Sequence, residues 1–430
     1  MVAATYFLRR RALGIGPPWL VLILVTMVPL SLSATKVDHR DLLQEGRVVE
    51  EISFRGLRKT REDVLLEVID VEPGTPASQQ LVADTELALM ETDLFAEVII
   101  TPRPIGEDGL ELEIAVDEKL TLIPIPFFST NGSDFTGGLI LLESNLLGLN
   151  QQLIAAGFGG NAGFRGFFAY SVPSVAGSKW QAGLSAAGGR SDFEQERPDE
   201  LMVRESELDN WSVGGTVGYR FTRELSAQAG LRFEDWRVRS DSFVAGLDPL
   251  EDVQYLQSET RLRYDGTRPI DVLRVGPQAE AESRTLLNDD GWDARLSLGW
   301  AFPVARVQRL RLLASGGLGD MPSLAEQPIS GRDGYRTLPF GGVTADEWGS
   351  VSGFYDVPVV SAGWGALVLS HFWEVGTYQT DGIDHRLFWG PGGGFRVYLR
   401  QVAIPALGLD LAYNIPDEAF MFSFTLGGQM

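Results

Sequence analysis

The chain of 430 residues contains no cysteine. A disulfide framework, a thiol nucleophile and a thiolate metal site are therefore excluded. Histidine is nearly absent: His39, His371 and His385 lie far apart and lack metal-ligand spacing, so each reads as a loop or wall residue. Basic charge is scarce, with 36 Lys and Arg against 58 Asp and Glu. A net charge of −22 offers no basic footprint to a phosphate backbone, which excludes nucleic acid as a partner. No nucleophile, base and oxyanion donor can be assembled, and phosphate-loop and dinucleotide motifs are missing. Neither an enzyme, a metal site nor a cofactor is expected.

Long apolar runs are also lacking beyond the N-terminus. There, Arg9, Arg10 and Arg11 precede an apolar run from Trp19 to Leu30 that ends in Ser31, Leu32, Ser33 and Ala34. The run is short for a spanning helix. Basic flank, apolar core and small residues make a secretory signal peptide over 1–34, cleaved after Ser33 or Ala34.

What the chain has in plenty is glycine, 49 residues, and aromatics: 10 Trp, 10 Tyr and 23 Phe. From about Leu122 to Met430 they sit in short segments of alternating apolar and polar residues separated by turn residues. Phe420, Phe422, Phe424 and Leu426 share one parity while Met421, Ser423, Thr425 and Gly427 share the other. Trp292, Ala294, Leu296, Leu298 and Trp300 oppose Asp293, Arg295, Ser297 and Gly299 in the same way. A period of two means strands with one greasy face and one small or polar face. With aromatics near segment ends, this predicts an all-β transmembrane barrel over 121–430, of about 16 antiparallel strands. The longer connections, 192–210, 241–252 and 319–343, are expected outside the cell. Glu194, Glu196, Glu200, Glu205, Glu207 and Asp209 make the first of them acidic. It is a candidate for divalent cations near lipopolysaccharide, although a solvated loop is the plainer reading.

Between a polar lead (35–46) and the barrel, residues 47–120 read as strand, helix, helix, strand, strand: one small α/β domain with an open sheet edge able to take a guest strand. Thr60 and Ser78 are the expected helix caps, and Leu81, Leu87 and Ala88 the inward side of the second helix. A periplasmic spacer is the bland alternative.

Val48–Gly56, Thr60, Ser78, Leu87, Thr92–Val98 and Leu112–Lys119 resemble a POTRA repeat, the periplasmic module of the outer-membrane assembly factors of the BamA/TamA type. Glu143–Asn150 resembles that family's asparagine-leucine-leucine-glycine turn at the start of the surface-antigen barrel. Read from the residues alone, Asn145 and Gly148 there take backbone shapes that other residues resist. Only one repeat fits before Leu122, whereas BamA itself carries several. Gly331–Pro339 looks like the family's arginine-glycine-aromatic loop that folds into the lumen. This implies Tyr335 and Arg336 as lumenal residues, with Glu374 as the acidic partner of Arg336. Thr337 and Leu338 replace the glycine-aromatic pair, and Val351–Phe354 is a second candidate without the arginine. Strict alternation puts Glu374 on the parity of Phe372, so a lumenal position is expected to need a bulge.

The first barrel strand carries Pro124 and Pro126 beside Phe127. Both lack an amide donor, which limits zipping to the Phe420, Phe422 and Phe424 strand. The resemblance implies a factor that receives unfolded outer-membrane proteins in the periplasm and guides their insertion, with the lipid bilayer and periplasmic accessory proteins as further partners. A passive or substrate-specific pore and a two-partner secretion translocator are the alternatives.

Overall fold

Helix is confined to the segment before residue 92 among the described residues, and everything after it is strand and turn. The computed structural model of the protein describes residues 3–8, 43, 46–69, 71–131, 134–160, 163–196, 202–244, 249–305, 307–326, 329, 335–338, 343–379, 385–402 and 407–426. The apolar run Trp19–Leu30, both cleavage positions, His39, Glu200, Gly331–Gly334, Pro339 and Met430 lie outside them.

The strands and helices run β1 (Ala3–Leu8), β2 (Val48–Arg55), α1 (Glu62–Ile69), α2 (Gln79–Glu91), β3 (Phe95–Ile105) and β4 (Gly109–Glu118). Strands β2, β4 and β3 form a three-stranded sheet in that order, parallel between β2 and β4 and antiparallel between β4 and β3. Ser78 is extended, and its Oγ accepts the Leu81 amide at 3.0 Å, satisfying one of the orphan donors at the start of α2. Thr85, Ala88 and Leu89 form the buried side of α2. Leu87 is only half-buried, a correction of the expected inward set; the helix is rotated so that Leu89 meets Leu65, Phe95 and Leu112. These side chains are fully buried, and truncating one such leucine costs about 2–5 kcal/mol.

The barrel follows with β5 (Leu122–Asn131), β6 (Asp134–Leu146), β7 (Gln151–Gly160), β8 (Gly163–Val172), β9 (Trp180–Glu196), β10 (Met202–Arg220), β11 (Leu225–Phe243) and β12 (Val253–Asp265). It continues with β13 (Arg268–Ile270), β14 (Leu273–Leu286), β15 (Trp292–Ala305), β16 (Gln308–Asp320), β17 (Glu347–Ala362), β18 (Gly365–Gln379), β19 (Arg386–Leu399), β20 (Leu407–Asn414) and β21 (Ala419–Leu426). The large sheet holds 18 strands. Two of them are not staves: β1 comes from the N-terminus, and β13 is a three-residue piece beside β14. That leaves 16 antiparallel staves from β5 to β21, with β12 paired directly to β14.

Alternation sorts the side chains. In β18, Val368, Phe372 and Glu374 are buried inside, whereas Leu369, Trp373 and Val375 are about half exposed on the outer wall. The outer wall is greasy throughout: Leu141, Leu184, Leu231, Leu298, Leu312 and Phe420 all face out, as a lipid-facing barrel requires. No helix among the described residues is long and apolar enough to cross a membrane, so any crossing falls to the strands.

One of the three expected long loops is corrected. Strands β9 and β10 run on through most of 192–210, so this connection is a tall hairpin, whereas the second lies between the end of β11 at Phe243 and the start of β12 at Val253. Two of the acidic residues meet the ladder's own arginines: Arg190 lies 3.0 Å from Glu207 and 3.1 Å from Asp209, and Arg239 also bonds Asp209. Charged residues at alternate positions had the composition of a loop and the period of a strand.

A wall of staves joined edge to edge by ladders from β5 to β21 resists detergent until heated. The isolated protein is expected to migrate faster on a gel unheated than boiled; identical mobility would refute a folded barrel.

Candidate functional site: the lumenal arginine knot, the domain joint and the barrel seam

The β16–β17 connection turns back into the lumen. Tyr335, Arg336, Thr337 and Leu338 are all nearly inaccessible. Tyr335 packs on Trp348 and Phe388, and the Ser350 hydroxyl donates to its phenolic oxygen at 2.5 Å. Glu374 Oε2 accepts the amides of Arg336 and Thr337, at 2.8 and 3.0 Å, and the Thr337 hydroxyl at 3.0 Å. Arg336 Nη1 lies 3.5 Å from Glu374 Oε1, while Arg336 Nε donates to Asp410 at 2.8 Å. Asp410 is shared with Arg396, also at 2.8 Å. The Arg336 guanidinium stands 4.8 Å from the Phe354 ring centre and 5.2 Å from that of Phe372, so its faces are covered by rings while its edge meets carboxylates.

Glu374 reaches the lumen without a bulge, because Phe372 is itself a lumenal residue; no ladder irregularity occurs near it. Val351–Phe354 is part of strand β17, and its Phe354 supplies one wall of the knot. Sequence reasoning missed Asp410 and Arg396, and also the neighbouring group in which Asp356 holds Arg309 at 2.9 Å, Arg311 at 3.0 Å and the Ser370 hydroxyl at 2.6 Å. Asp410 sits between Leu409 and Leu411, Arg396 between Phe395 and Val397, and Asp356 between Tyr355 and Val357; that parity was the available signal.

Removing one member of a buried pair leaves the other charge uncompensated, at about 3–5 kcal/mol. Arg336→Met and Asp410→Leu are each expected to destabilise the barrel by about that much, with a coupling of about 1–3 kcal/mol in urea unfolding. The Arg336/Glu374 cycle should show less coupling, since the amides that Glu374 binds remain in Arg336→Met. Equal coupling in both cycles contradicts this division of labour.

At the opposite rim the small domain is bolted to the barrel. Gly148, in the β6–β7 turn, has a positive φ of 76°, and a Cβ there would overlap the Lys59 carbonyl. Its own carbonyl accepts the Arg61 amide at 3.0 Å. Asn145 corrects an expectation: it lies in β6, and the left-handed residues beside Gly148 are Leu147 and Asn150. Its contribution is a buried amide that donates to the Thr60 hydroxyl at 2.8 Å and accepts the Asn150 amide at 2.8 Å. Thr60 is thereby tied to the barrel rather than capping α1. Lys59 Nζ meets Glu143 at 2.6 Å and Thr121 at 3.0 Å. A second tie joins the Leu120 amide to the Gln401 carbonyl at 2.7 Å, between β19 and β20.

Glu118 holds this loop by accepting the amides of Arg58, Lys59 and Thr60 at 2.9 to 3.0 Å. Burial alone would raise its carboxyl, but the Thr60 hydroxyl and these amides keep it below the ordinary value. The stabilisation is therefore present above the unfolded carboxylate range and lost as pH falls through the depressed folded value. Lowering the pH from about 7 to about 3 should reduce thermal stability more in the native protein than in Glu118→Gln; equal losses in circular dichroism melts would exclude this role.

Between the small domain and the lumen lies a cavity of about 600 Å³, lined by Glu91, Asp93 and Lys119 on one side and Arg263, Arg274 and Arg400 on the other. Among the described residues no group of His, Asp and Glu could hold a metal ion.

The seam is the third feature. The order of the sheet brings β21 beside β5, yet among the described residues no residue-by-residue ladder joins them. Phe420 to Thr425 pair with β20 on one edge and with Leu8 to Ala3 of β1 on the other, which occupies both edges of β21. Phe420 and Phe422 face outward; Phe424 is paired to Leu409 and Ala4. Among the described residues Pro124, Pro126 and Phe127 pair only with β6, opposite Leu141, Leu139 and Gly138.

The POTRA family, described as the surface antigen variable number repeat, matches residues 48–119. No curated protein sequence matches this chain. Among solved structures, BamA from Haemophilus ducreyi lacking POTRA domains 1-3 is similar with a TM-score of 0.54 and 14% identity, over 88% of this chain and 84% of that one. CdiB from Escherichia coli gives a TM-score of 0.63 and 12% identity over 89% of this chain and 76% of that one. CdiB from Acinetobacter baumannii gives 0.58 and 12% over 88% and 73%. The protein thus carries a POTRA domain, and its fold is the POTRA-and-barrel fold of the BamA/TamA type.

Proposed function

We propose that the chain is an outer-membrane assembly factor. A signal peptide over 1–34 directs export, the POTRA domain stands in the periplasm, and the barrel guides unfolded outer-membrane proteins into the bilayer without nucleotide or covalent chemistry. The observation that carries this reading is the seam: among the described residues the first and last staves share no ladder, and the outer backbone edge of β21 is taken by an added strand, Ala3–Leu8, in place of β5. Burial of lipid-facing surface and completion of strand hydrogen bonds supply the driving force. The knot of Arg336, Glu374 and Asp410 across the lumen disfavours a passive pore. A two-partner secretion translocator is the second reading, favoured by the charged vestibule between POTRA and lumen.

The protein is expected in the outer-membrane fraction and resistant to carbonate extraction. Reconstituted in vesicles, it should accelerate insertion of an unfolded eight-stranded barrel protein by at least about tenfold. Steady ion conductance without acceleration would move the assignment to a pore, and export of a dedicated passenger without acceleration to a translocator.

A further inference from the structure

The cavity between the POTRA domain and the lumen is floored by arginine. Arg274, Arg309 and Arg311 line it together, in a chain whose net charge is −22. Asp356 Oδ2 accepts from Arg309 Nε at 2.9 Å and from Arg311 Nε at 3.0 Å, and its Oδ1 accepts the Ser370 hydroxyl at 2.6 Å. This carboxylate is 1% exposed and is not part of the lining, so guanidinium groups rather than their counter-charge border the open volume.

Arg274 is held without a carboxylate. Its Nε donates to the Thr267 hydroxyl at 2.9 Å and its Nη2 to the Thr267 carbonyl at 3.5 Å, while its own carbonyl accepts Arg309 Nη1 at 2.9 Å. Among the described residues it forms no ion pair. The acids of the cavity wall are engaged elsewhere or weakened. Asp265 Oδ1 accepts the Thr267 amide and hydroxyl at 3.1 and 2.6 Å, and its Oδ2 lies 3.4 Å from Arg263. Asp271 is bonded by Arg400 at 2.6 Å. On the POTRA side, burial raises the Glu91 carboxyl above its ordinary value against the pull of Arg223 and Arg274, which lessens its worth as a counter-charge.

This wall is complementary to an anion. Arg274 and Arg309 come from different strands, β14 and β16, and border one volume. A planar carboxylate offers two oxygens to a single guanidinium fork, whereas a tetrahedral phosphoryl group offers oxygens in more than one plane and meets two forks at once. The volume of about 600 Å³ exceeds what one ion fills and suits a small molecule held between two domains.

We propose that Arg274 and Arg309 form a binding site for a phosphoryl anion, inorganic phosphate or a phosphate monoester, at the mouth of the lumen. Lys119, on the POTRA side of the same cavity, adds a third cation. The inference rests on the cavity alone and holds whether the barrel assembles, exports or conducts.

The test is calorimetric titration of the full chain in a phosphate-free detergent, at constant ionic strength set with chloride. Inorganic phosphate and glycerol 3-phosphate are the two probes, and a tetraglutamate peptide is the third. One saturable site is expected for a phosphoryl probe, with affinity lowered by at least about tenfold in Arg274→Met, the worth of charge-assisted hydrogen bonds. That variant keeps the backbone carbonyl to which Arg309 bonds, and heat-modifiable mobility shows that it has folded. Arg237→Met, which removes an exposed arginine outside the cavity, should bind as the native protein does. Binding of inorganic phosphate alone identifies the free ion, and tighter binding of glycerol 3-phosphate identifies a monoester; either supports the site. No saturable binding of either phosphoryl probe overturns the proposal, as does equal binding by native protein and Arg274→Met, or equal loss in Arg237→Met. Binding of tetraglutamate in place of both phosphoryl probes also overturns it and assigns the cavity to acidic polypeptide.

Discussion

A strand in a bilayer has no water to satisfy its amides, and each unmet donor or acceptor in hydrocarbon costs several kcal/mol. Everything else in this molecule is arranged around that constraint. Fifteen stave-to-stave ladders meet it along the wall from β5 to β21. Between the two ends the pattern changes: the outer edge of β21 is met by Ala3–Leu8, and β5 pairs with β6 alone among the described residues.

The lumen solves a different problem. Sixteen staves enclose more space than small side chains fill, and the β16–β17 connection occupies part of it with an arginine whose charge must be met in a dry interior. Two carboxylates act together there, Glu374 on the backbone of the loop and Asp410 on the guanidinium. Phe354 and Phe372 cover its faces, so the loop is fixed in position and orientation together.

The period of two was legible because lipid outside and polar lumen inside select opposite residue types at adjacent positions. It separates Phe422 from Ser423 and Leu298 from Ser297 with no knowledge of neighbours. The single α/β domain and the Ser78 cap were legible for the same reason, since each is decided locally. Asp410 was not, because a carboxylate between two leucines looks like any lumenal residue, and its partner lies 74 residues away in a loop. The upper parts of β9 and β10 were misread because strands that rise beyond the lipid lose the greasy parity that marks them. Asn145 was assigned to backbone shape, whereas it acts through its side chain, on a domain 85 residues earlier in the chain.

The two ties that mount the POTRA domain have a bearing on the seam. One is made to the β6–β7 turn and the other to the β19–β20 turn, and in the order of the sheet these lie on either side of the seam. The domain is a hasp fastened across the line where the two ends meet, and the chain passes from it directly into β5. Both ties lie at this rim. The POTRA domain thus spans the line between the first and last staves at one rim, a strap laid across the place where the wall begins and ends.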